Sequence, residues 1–136
     1  MAMRQLGMEQ AILHAGISVL VLLATLLVAT VSFAGEADVE DVRIVRQADG
    51  RYRFDVTVRH ADAGWEHYAD AWQVLDEAGN VLGERVLLHP HDDEQPFTRS
   101  LSDVAIPAGV SRVTIRARDT VHGFGGREVT VELPGS

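Results

Sequence analysis

Residues 51–60 alternate strictly between apolar and polar side chains, which leaves little room for anything but a layered β structure. Tyr52, Phe54, Val56 and Val58 face one way, and Arg53, Asp55, Thr57 and Arg59 the other. Successive side chains of a strand point to opposite faces, so this segment reads as a strand with one face on a core and one in water. Residues 112–118 repeat the pattern with Val113, Ile115 and Ala117 inward, and residues 128–133 with Val129, Val131 and Leu133. Beyond residue 34 no segment reads convincingly as a helix. Ala48-Asp49-Gly50, Glu77-Ala78-Gly79-Asn80, Pro107-Ala108-Gly109 and Gly123-Phe124-Gly125-Gly126 punctuate the chain as turns. The expected strands are Val39–Gln47, Arg51–His60, Ala69–Asp76, Val81–Leu88, Phe97–Leu101, Ser111–Asp119 and Arg127–Leu133. Seven short strands in roughly 100 residues predict an all-β fold, an immunoglobulin- or fibronectin-like antiparallel β-sandwich. Tyr68 and Trp72, four apart on one strand, are expected in its core. Outward Arg116 or Arg118 is expected to pair with Glu128 or Glu132 across the last two strands.

The first 34 residues read differently. Ile17–Val31 is an apolar run, preceded by a short leader with Arg4 and followed by Ser32-Phe33-Ala34, with small residues at the −3 and −1 positions of a cut before Gly35. That is the layout of an apolar signal helix, so residues 1–34 are expected to be a signal peptide and 35–136 one β-sandwich domain, periplasmic or secreted. The alternative is an uncleaved membrane anchor, for which the run is shorter than the roughly 18–20 residues that span comfortably.

Composition then narrows the chemistry. The chain carries a net charge of −8, and removing the leader takes away one Arg and one Glu, so the balance is unchanged. An acidic domain is a poor match for nucleic acid, and the expected membrane contact is through an uncleaved leader alone. There is no cysteine. The fold is therefore held without disulfides, and thiolate zinc sites, iron–sulfur clusters, blue-copper ligation and a cysteine nucleophile are excluded. All three methionines, Met1, Met3 and Met8, fall in the leader. A metal site in the domain must come from His, Asp and Glu.

Five histidines lie in the domain, in VRHADAGWEHYAD, LLHPHDDEQPF and DTVHGFGG. If each connection reverses the chain, the loops after the second, fourth and sixth strands share one end, and His60, His67, His89, His91 and His122 gather on one rim. Imidazole is the commonest side-chain metal ligand. His89-Pro90-His91 places two rings on one side of an extended segment, stiffened by Pro90. Two imidazoles, a third from His67 or His122, and an oxygen from Asp92, Glu94, Glu66 or Asp119 would suit Zn(II) or Cu(II). The expected ligands are His67, His89, His91 and His122, with His60 next because its parity points it inward. The blander reading is a set of ordinary loop histidines, with His60 packed at a strand end.

Trp65 and Phe124 lie on the same rim beside glycines. They either contact a protein partner, whose identity the sequence leaves open, or fold back over the core. Arg99 is expected to pair with Asp93 or Glu94. No G-x-S-x-G, phosphate loop or H-E-x-x-H occurs. Catalysis is left open, and a binding role is favoured over an enzymatic one.

The stretches HADAGWEHYADAWQVLD, GNVLGERVLLHPHDDEQPFTRSL and VTIRARDTVHGFGGREVTVELP resemble a family of small exported bacterial proteins without an assigned activity. The resemblance covers nearly all of residues 35–136 and implies an exported β-sandwich, but no activity. More distantly, the domain resembles that of superoxide reductase, which is immunoglobulin-like and binds iron through several His and one Cys. The absence of Cys here departs from that pattern. The function expected from these residues is an exported domain binding a divalent transition metal on its His rim. The alternative is a non-enzymatic interaction module using the same loops.

Overall fold

The computed structural model describes residues 35–135; the expected signal segment, residues 1–34, lies outside the described residues. Eight strands follow one another: β1 (Asp38–Arg46), β2 (Tyr52–Arg59), β3 (Ala69–Leu75), β4 (Val81–Val86), β5 (Phe97–Val104), β6 (Arg112–Asp119), β7 (Gly123–Phe124) and β8 (Val129–Glu132). They form two antiparallel sheets. One has the order β1-β2-β5; the other runs β4-β3-β6-β7, with β8 also on β6. Among the described residues no helix is long and apolar enough to cross a membrane.

The alternation read from the sequence decides which faces meet. Tyr52, Phe54, Val56 and Val58 of β2 are buried, as are Val113, Ile115 and Ala117 of β6. With Val39 and Phe97 on the first sheet, and Trp72 and Val74 on the second, they form one core between the sheets. Each such large apolar side chain contributes about 1.5–3 kcal/mol by leaving water. Trp72 is fully buried with no disulfide beside it. β3 is buried almost throughout: it lies between β4 and β6, and its outward Gln73 is held between Glu84 and Arg116 of those strands.

Three local expectations are corrected. Tyr68 precedes β3 and is only half-buried; its ring meets Trp65 edge-on at 5.6 Å rather than packing with Trp72 in the core. Arg116 and Arg118 do not pair with Glu128 or Glu132. The β6–β8 ladder stops at Ile115 opposite Val129, so both arginines lie beyond it. Arg116 bonds Gln73 Oε1 on β3, Arg118 bonds Asp70, and it is Arg112 that reaches Glu132. The two-residue β7 was not expected; it pairs Gly123 and Phe124 with Asp119 and Arg118, after Gly123 adopts φ 72.

All strand pairings are antiparallel. The loops following β2, β4 and β6 therefore lie at one end of the domain, and the turns at residues 47–51, 76–80 and 105–111 at the other. β1 also starts at the histidine end, where Asp38 pairs with Arg59. There the Val39 amide donates to Arg127 O at 2.8 Å and the Arg127 amide to Asp38 Oδ1 at 2.7 Å. Any Cβ at Gly126 would collide with the Ala37 carbonyl, so this crossing needs glycine.

Candidate metal centre

His60 directly follows β2 and keeps its inward parity; its side chain has no exposed surface. Two residues on, Asp62 is equally buried. Its Oδ1 lies 2.6 Å from His60 Nδ1 and accepts the Ala69 amide at 3.0 Å, while Oδ2 accepts the His91 amide at 2.7 Å. One carboxylate thus ties together the end of β2, the start of β3 and the loop after β4. A carboxylate beside Nδ1 places the ring proton there, an assignment made from the bonding pattern. His60 Nε2 is left with its lone pair. A carboxylate behind a ligating imidazole orients the ring.

His60 Nε2 faces His67 Nε2 at 3.2 Å, with the rings edge-on at 73° and centroids 4.7 Å apart. His67 Nε2 is also 3.2 Å from Asp119 Oδ1. Asp119 ends β6 and is 1% exposed. Burial works to raise its pKa, but the His122 and Val121 amides, with the His122 and His60 imidazoles, outweigh it and hold the carboxyl below the usual range. Those amides reach Oδ1 at 2.7 and 2.9 Å, and His122 Nδ1 reaches it at 3.1 Å. Oδ2 has no hydrogen-bond partner among the described residues.

One ligand atom each from His60, His67 and Asp119 lie within 4.8 Å of one another. The His122 ring is 5.1 Å from that of His67, and its side chain is 37% exposed, so it stands on the open side of the cluster. Two imidazole nitrogens and a carboxylate are a donor set for zinc, or for other divalent transition ions when positions stay open. Without a cation the same atoms can share protons only.

The other two histidines form a second group. His89 and His91 have ring centroids 4.6 Å apart at 36°. His91 is buried and lies flat on Phe97, at 3.9 Å and 7°. Burial, reinforced by Arg99 and His89, pushes its pKa down, so it is a neutral ring near neutral pH. Among the described residues no ring contact joins this pair to His60, His67 or His122; Asp62 is the link, through the His91 amide.

The rim expected from the connectivity is therefore present, divided in two. Asp119 stood as one of four possible oxygen donors; Asp92 is spent on the Gly64 amide at 3.2 Å and Glu94 on Arg99 at 3.2 Å, the latter as expected. Asp62 was missed, although His60-Ala61-Asp62 carries the signal. Trp65 is 67% exposed. Phe124 instead lies over the Arg116 guanidinium, 4.0 Å from its ring centroid.

No protein-family model matches the chain. A curated relative from Halomicrobium mukohataei, named "Putative lipoprotein", is 42% identical over 97 residues. The match covers 71% of this chain and 47% of that protein, so the chain spans about half the relative's length. Two solved structures are similar. A hypothetical protein from Pyrococcus horikoshii OT3 is 17% identical, covering 76% of this chain and 94% of that one, with a TM-score of 0.49. A superoxide reductase in the oxidized state is 16% identical, covering 76% and 93%, with a TM-score of 0.41.

Proposed function

We propose that this protein is an exported domain that binds a divalent transition metal, Zn(II) or Cu(II), through His60, His67 and Asp119, with His122 on the open side. The observation that carries the reading is the buried Asp119 carboxylate, with one oxygen unpartnered among the described residues, beside two imidazole nitrogens 3.2 Å apart. The Asp62 carboxylate supports it by fixing His60 with Nε2 free. The net charge of −8 favours cations over anions near the site. The order β1-β2-β5 against β4-β3-β6-β8 supports an immunoglobulin- or fibronectin-like sandwich. Export to the periplasm or outside rests on the apolar run at 17–31 and on the relative's name. No catalytic step is assigned.

The test is calorimetric titration of the full chain with Zn(II) and Cu(II), with thermal unfolding beside it. A metal at 100 times its Kd adds about 2.7 kcal/mol of stability. That gain should be reduced in His67→Ala and Asp119→Asn. Equal stabilisation of both variants and the wild type would refute the site.

A second reading is favoured by one observation, the exposure of Trp65. On this reading the rim docks a protein partner. Capture with wild type and Trp65→Ala should then differ in the proteins retained, and identical partners would remove it.

A further inference from the structure

His91 is the least satisfied polar side chain of the rim. Both its ring nitrogens are buried and neither has a hydrogen-bond partner among the described residues; the nearest carboxylate, Asp62 Oδ2, is 3.9 Å from Nδ1. A neutral imidazole carries one donor and one acceptor, and burying both unpaired costs free energy. A group in that position calls for an explanation. The ring beside it is His89, exposed, with its Nδ1 3.0 Å from Pro90 O. In the neutral ring that contact puts the proton on Nδ1 and the lone pair on Nε2, an assignment made from the bonding pattern. Pro90 has a fixed φ, so the two rings are carried on a stiffened link. Their 36° tilt differs from the flat stack of His91 on Phe97, and their centroids are already 4.6 Å apart.

We infer that His89 and His91 form a second metal site, separate from the cluster at His60, His67 and Asp119, which takes one imidazole-seeking ion, Cu(II) first, with water completing the coordination. Two imidazoles suit copper, which binds nitrogen sites more tightly than the other divalent first-row ions. The exposed His89 ring is the one that moves, since bound nitrogens must both sit about 2.0–2.1 Å from the ion. The charges facing the pair are Arg99, which opposes a cation, and Glu94 and Asp62, which favour one; Glu94 also bonds Arg99 and offsets it. The site shares no ligand with the first cluster, and Asp62, which touches both His60 and His91, is kept in every variant below, so the two sites fail separately.

The test is Cu(II) titration of the full chain with electron paramagnetic resonance, for wild type, His67→Ala, His89→Ala and the double variant. Circular dichroism checks the fold, and Asp119→Asn replaces His67→Ala if that variant fails to fold. Two equivalents are expected in wild type. One should survive in His67→Ala with a nitrogen-coordinated spectrum, and it should be lost in the double variant. His89→Ala should weaken this site by at least the roughly 10–100-fold that losing an outer-shell partner costs. A single wild-type equivalent that survives His67→Ala and is lost in His89→Ala supports this site and removes the first. No copper bound, an equivalent retained in the double variant, or a single equivalent lost in His67→Ala overturns the inference.

Discussion

The two ends of the domain reverse the chain by opposite means. At the end without histidines the polar groups stay in water and the hairpin turns close locally, with Gln47 and Asp103 bonding each other across the sequence at 2.9 and 2.7 Å. Asp49 Oδ1 accepts the Arg51 amide at 3.0 Å, and Asp76 accepts the Ala78 and Asn80 amides at 3.0 and 2.8 Å. Gly50 and Gly79, at φ 86 and 85, supply left-handed backbone. At the histidine end the bonds reach across the sequence and the polar groups are inside: His60, His91 and Asp119 are buried, and Asp62 joins three segments. Turning a chain does not require buried carboxylates and imidazoles, as the other end demonstrates. The histidine end bears a desolvation cost that local turns avoid, and the metal-binding reading gives it a reason.

That contrast can be broken by substitution. The shared core sets the upper limit: Trp72→Ala should cost about 3–5 kcal/mol in denaturant unfolding, whichever end is considered. Asp62→Ala should come close to it, at about 3 kcal/mol, because it leaves a buried imidazole and the Ala69 and His91 amides unpaired. A loss no larger than that of a surface change would show the histidine end to be built like the other. Asp76→Ala, in an exposed turn, should shift the melting midpoint least.

Acid sharpens the same comparison. His91 has a folded-state pKa below its ordinary 6.5, so the unfolded chain binds the extra proton first. Its contribution is complete above about pH 6.5 and declines as pH falls toward the depressed folded value. Asp119, also depressed, adds a loss at lower pH still, below the ordinary carboxylate value of 3.8. His91→Phe should flatten the stability profile just below pH 6.5 while leaving the lower-pH loss in place. An unchanged slope would place the acid sensitivity elsewhere.

Much of this was readable in the chain, and for a physical reason. Period-two alternation survives wherever one strand face is buried, so β2 and β6 stood out, and strand direction then brought the five histidines to one end. β7 escaped because two residues carry no period. The β5 end at Val104 escaped because Ser102 and Asp103 look like loop, and Asp103 takes φ 60 there. Asp62 resembled an ordinary turn residue; only the packing of β3 against it buries the carboxylate. The division of the histidines into two groups was beyond sequence reasoning, since it depends on Phe97 lying flat beneath His91.

X-ray absorption of the full chain loaded with one equivalent of Zn(II) tests the metal-binding claim most directly. Imidazole nitrogens and a carboxylate oxygen at about 2.0–2.1 Å are expected around the ion, with the nitrogen signal reduced in His67→Ala. A shell of oxygen alone, or one unaltered by that substitution, would contradict the account.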